Sequence, residues 1–65
     1  MDHNDRDLLN HLGSKLAGLL EEVSGTAALL PSVPPEDCRA AMAKLHEATT
    51  SAQAIISAMT ALLTR

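Results

Sequence analysis

The sequence predicts an all-α fold: an antiparallel two-helix hairpin that assembles as a dimer into a four-helix bundle. Three observations carry that expectation. Large apolar residues recur at seven-residue spacing in both halves of the chain. A proline cluster, "PSVPPED" from Pro31 to Asp37, separates the halves. Finally, the 65 residues contain no Phe, Trp or Tyr, so the core must be built from Leu, Ile, Val, Met and Ala. Residues 1–65 then make a single domain, near the size at which one core is marginal. A fully buried Leu or Ile contributes roughly 1.5–3 kcal/mol, whereas ordering each backbone residue costs about 1–2 kcal/mol. Self-association or folding on a partner is the expected remedy.

The first helix is predicted over about residues 5–29. Leu9, Leu16, Val23 and Leu30 form its sevenfold series, with Leu12 and Leu19 between them. Leu8, Leu20 and Ala27 widen that seam into a stripe. Asp2 or Asn4 can cap the start, and Asp5 and Asp7 suit the positive end of the helix dipole. Gly25 offers an alternative end near Ser24, after which Thr26 could cap one further turn. Pro31 disfavours helical geometry at Leu30, which places the hinge at about 30–35. Val33 and Pro34 each precede a proline and should be extended.

The second helix is predicted from Pro35 to about Thr64, because Pro35 suits a first helical position and Glu36 and Asp37 suit the first turn. Its series are Cys38, Leu45, Ala52 and Met59, and Ala41, Ala48, Ile55 and Leu62. Met42, Ile56 and Leu63 lie beside them. Both stripes are broader than one helix–helix contact needs, and two hairpins packed together would bury both flanks. The residues expected to carry association are therefore Leu9, Leu12, Leu16, Leu19, Leu20 and Val23 on the first helix, with Leu45, Ile55, Ile56, Met59, Leu62 and Leu63 on the second.

The stretch "ATTSAQAIISAMTALLT", residues 48–64, has no charge. It is shorter than the ~20 residues of a membrane span, and Gln53 with several Ser and Thr interrupts it. No membrane insertion is expected. Its outward residues Gln53, Ala54, Ser57, Thr60, Ala61 and Thr64 are small or uncharged. Ser14, Ala17, Gly18, Ser24 and Gly25 form a similar strip on the first helix.

Chemistry-bearing constellations are few. His3, Asp7 and His11 have the fourfold spacing that can present two imidazoles and a carboxylate to zinc, but a fourth ligand is lacking, and no metal is expected. Cys38 falls on the inward seam, where a small buried hydrophobe is the expected role over a reactive thiol. His46, beside Lys44 and Glu47, reads as ordinary helix surface. Neither a phosphate-binding glycine loop nor a nucleophile–base set is present, so no catalytic residue and no cofactor are expected.

Charge narrows the partner. Eight Asp and Glu against five Lys and Arg give net -3 with neutral histidines. Lys15, Arg39, Lys44 and Arg65 are scattered among acids, and no aromatic can stack on bases, which argues against RNA or DNA. A dimer that gathers Arg39 and Lys44 from both chains keeps a nucleic-acid-binding regulator as the alternative. One cysteine excludes an internal disulfide, and "MDHNDRD" lacks the basic-then-apolar order of a signal peptide. The initial Met suggests a natural start, and a cytoplasmic location is expected. The expected partners are the chain itself, as a homodimer, or another helical protein. In length, two helices and hinge, the chain resembles the plasmid copy-number RNA-binding hairpins, which are dimeric four-helix bundles. It also resembles the small co-chaperones of type III secretion needles, which pair with a larger helical-repeat chaperone. The resemblance is one of layout, and implies a role as adaptor, co-chaperone or regulator.

Overall fold

The structure, a computed structural model, describes residues 2–64. Two helices pack against each other: α1 spans His3–Leu29 and α2 spans Pro35–Leu63. The hairpin is a rod, with Cα extents of 49 × 14 × 11 Å and a radius of gyration of 15.1 Å. A compact chain of this length would have a radius of about 11 Å.

Helix α1 starts two residues before the predicted boundary, because Asp2 rather than Asn4 is the cap. The Asp5 amide donates to Asp2 Oδ1 at 2.8 Å, and the Arg6 amide donates to the Asp2 carbonyl at 3.1 Å. The side-chain bond satisfies one of the amides a helix start leaves unpaired, and the Arg6 bond is the first of the helical ladder. Gly25 does not end the helix. It lies in the helical interior, and none of the glycines has a positive φ.

The junction corrects the expectation at Leu30. That residue precedes Pro31 yet is helical, at φ -50° and ψ -42°. The reason is a switch to a 3-10 turn over Leu30–Ser32. Leu30 keeps its own bond, donating to the Ala27 carbonyl, while Pro31 takes an early position of the new turn, where its missing N–H is not needed. The Val33 amide closes the turn on the Leu30 carbonyl at 3.1 Å. Val33 (ψ 132°) and Pro34 (ψ 146°) are extended as expected. Pro35 then opens α2, with Glu36 and Asp37 in its first turn, and α2 ends one residue short of Thr64.

The sevenfold series define the contact between the helices. Writing the repeat as abcdefg, with a at Leu9 on α1 and at Cys38 on α2, all a and d positions from Leu9 to Leu62 are buried or half-buried. On α1 these are mostly leucines. On α2 three of the eight are alanines: Ala41, Ala48 and Ala52. Ala52, at 6% exposure, is the one described residue that is buried outright. The half-buried Cys38 sits at the turn end of the seam, its Sγ 3.7 Å from the Val33 carbonyl, a weak S–H···O contact. It is half-buried on the inward seam, where the sequence places it.

Candidate interaction surface

Two helices side by side give a ribbon with two broad faces, one formed by the e positions and the other by the g positions. The antiparallel register can be read from residues that share surface depressions on the g face. Leu29 lies with Ala40 and Ala41, Glu22 with Lys44 and Glu47, and Gly18 with Ser51 and Ala54. This face is mixed in chemistry. Lys15, Glu22, Asp37 and Lys44 stand among Leu29, Val33 and alanines along the depressions.

The e face differs. Leu20, Met42, Ile56 and Leu63 fall there, all between 50% and 61% exposed. None of the eight acidic residues of the chain occupies an e position or the b positions beside them. Among the described residues the only Lys or Arg at these positions are Arg6 and Arg39, near the two ends of the rod.

Threonines make this face less polar than its composition suggests. The Thr49 hydroxyl lies 3.0 Å from the Leu45 carbonyl and 2.9 Å from that of His46, and the Thr60 hydroxyl donates to the Ile56 carbonyl at 2.9 Å. Thr50 and Thr64, further round α2, also bond back to carbonyls one turn earlier. Each donor is turned into its own helix, so covering it with apolar surface strands no proton.

The twelve residues predicted to carry association therefore divide. Leu9, Leu12, Leu16, Leu19, Val23, Leu45, Ile55, Met59 and Leu62 are half-buried in the seam of the hairpin itself. Leu20, Ile56 and Leu63 are exposed on the e face. Met42 joins these three. Leu8, grouped with Leu20 in the sequence, falls at a g position on the opposite face, as does Leu29. Leu29 went unnoticed in the sequence because it borders the proline hinge. The heptad count alone would have found it.

The small-residue strips are exposed, and a β-carbon added at Gly13, Gly18 or Gly25 meets nothing within 4 Å. The glycines therefore serve no close approach inside the hairpin. His3 Nε2 lies 3.4 Å from Asp7 Oδ2, an exposed pair one turn apart. Among the described residues no group of three or more His, Cys, Asp or Glu could hold a metal, and no helix is long and apolar enough to cross a membrane. Arg65, one of the scattered cations, lies outside the described residues.

No known protein family, curated protein or solved structure matches this chain.

Proposed function

We propose that this chain is a small non-enzymatic protein–protein interaction module that works by packing helix faces, either on a second copy of itself as a four-helix bundle or on another helical protein. An adaptor, co-chaperone or regulator works in this way, and the likeness in layout to needle co-chaperones fits the same reading. One observation carries it. The hairpin exposes 4910 Å², whereas a compact monomer of 6.8 kDa exposes roughly 4,000 Å². The surplus is close to the ~800 Å² that each partner contributes to a stable interface. Much of it is apolar, from six large side chains that are 45–64% exposed.

Nucleic acid is the weaker reading. Lys15 and Lys44 share their depressions with Glu22, and Glu47 stands beside Lys44, so their charge is offset locally.

The test is absolute mass by light scattering after size exclusion, with far-ultraviolet circular dichroism on the same sample. A helical species of two chain masses, reduced to one by Ile56→Asp, is the expected result. An unfolded monomer that becomes helical on a helical partner also fits the reading. A wild-type chain that is a stably helical monomer and binds no helical protein overturns it.

A further inference from the structure

We propose that the occupant of the e face is a second copy of this chain, laid face to face about a two-fold axis that runs along the helices. The inference rests on the interaction-module reading and adds to it which face, which partner and which arrangement.

The register read from the opposite face places Gly13 level with Ile56, Leu20 level with Thr49, and Ala27 level with Met42. Each of these three levels holds one bulky and one small residue, while at the fourth, by the free ends of the helices, Leu63 is level with Arg6. The bulky one changes helix along the rod: α2 supplies it at Met42, α1 at Leu20 and α2 again at Ile56. A flat partner would leave gaps beside each of them. A copy rotated about the long axis does not, because it sets α1 over the α2 of the other chain. Ile56 then lies over Gly13 of the second copy, Leu20 over its Thr49, and Met42 over its Ala27. At all three levels bulk meets a recess, in both directions, as a closed two-fold interface requires. An axis running across the rod would instead set Met42 against Leu63.

Area and charge agree. The rod's 49 × 14 Å outline covers roughly 700 Å² before side chains widen it, near the share each partner gives to a standard interface. With no acid on the face, no carboxylate has to be buried, and Arg6 and Arg39 stand at the ends, where solvent reaches them. Across the interface each α1 runs antiparallel to the α2 it covers, so the helix dipoles oppose.

Two glycines separate association from folding. Neither Gly13 nor Gly18 has an atom within 4 Å of an added β-carbon, and in either place a helix former replaces glycine in a helical interior. Gly13 is on the e face and Gly18 is not. In sedimentation equilibrium, Gly13→Glu should halve the mass of the species and Gly18→Glu should leave it at two chains. A dimer that survives Gly13→Glu, or one that dissociates with Gly18→Glu, overturns the assignment of the face while leaving the interaction-module reading in place. A wild-type chain that is a stably helical monomer overturns the assignment, and one that also binds no helical protein overturns the interaction-module reading with it.

Disulfide trapping tests the axis, in a Cys38→Ser background. Ala17 and Gln53 sit at the middle of the rod on the e side, one on each helix. The proposed axis brings Ala17 of one chain to Gln53 of the other, so Ala17→Cys and Gln53→Cys chains should cross-link when mixed, each far less readily alone. Self-cross-linking of either variant in preference to the mixed pair overturns the arrangement.

Discussion

Replacing Gly18 and Gly25 by alanine should stabilise the protein, and the size of the gain follows from their surroundings. Both are exposed in the interior of α1, both have negative φ, and an added methyl meets nothing within 4 Å. Neither steric strain nor a lost contact offsets the change. What remains is helix propensity, about 0.8–1.0 kcal/mol per site, part of which arises from restricting the unfolded chain. The sites are seven residues apart, roughly 10 Å along the axis, and should act independently. The double variant is therefore expected to gain about 2 kcal/mol. In a chain of this size 1 kcal/mol moves Tm by about 4–8 °C, so the melt should shift upward by about 8–16 °C. Circular dichroism melts read this directly, provided wild type and variant are compared at one chain concentration. A shift near zero, or a loss of stability, would refute the reasoning. It would mean that the small-residue strip of α1 is covered by another helix whose backbone approaches too closely for a methyl group.

Two further outcomes follow from the local geometry. Asp2→Ala removes the cap on α1 and should cost about 0.5–2 kcal/mol, with faster hydrogen exchange confined to the amides of the first turn, Asp5 above all; unchanged exchange there would show that the cap contributes nothing. Ala52→Leu enlarges the one described residue that is buried outright and should destabilise by about 1–3 kcal/mol in urea unfolding, whereas a gain would show that the helices have room to spare there.

The seam was legible in the sequence except at Thr26, a half-buried d position read there only as a possible cap. Each residue of the sevenfold series, from Leu9 to Leu30 and from Cys38 to Leu62, is half-buried or buried, because a period of seven returns side chains to one side of a helix whatever the partner. The flanks were not. Leu8 and Leu20 both look like extensions of the same stripe, yet they belong to opposite broad faces, and separating them requires the a and d positions to be fixed first. Within the turn, whose place and extended Val33 and Pro34 the prolines foretold, the helical geometry of Leu30 eluded the sequence for a different reason. The steric rule for a residue before proline is a preference, and a 3-10 turn that keeps the Leu30 amide paired was enough to override it. Composition also misjudged the threonines of α2. They count as polar residues, but their hydroxyls are satisfied within the helix.

Helix α2 departs in part from the size distribution a self-sufficient hairpin needs, although Leu45, Ile55, Met59 and Leu62 do stand in its seam. Such a hairpin would place its largest side chains in the seam, where burial is assured, and small or charged ones on the shoulders. Here α2 carries Ala41, Ala48 and Ala52 in the seam, while Met42, Ile56 and Leu63 stand on its shoulder. Alanine in the seam draws the helices together and yields little apolar burial of its own, since each CH₂ placed out of water contributes only about 0.8 kcal/mol. The methylenes that could contribute more lie one position away, on the face that the hairpin leaves in water. Close helix approach also brings the two shoulders nearer to one another, so Leu20 on α1 and Ile56 on α2 become parts of one surface instead of two separate ridges. Exchanging Met42 for alanine and Ala41 for methionine in thought moves one side chain by a single register step, from the exposed shoulder into the seam. The size of this exposed shoulder is the physical ground on which the proposed burial between chains rests.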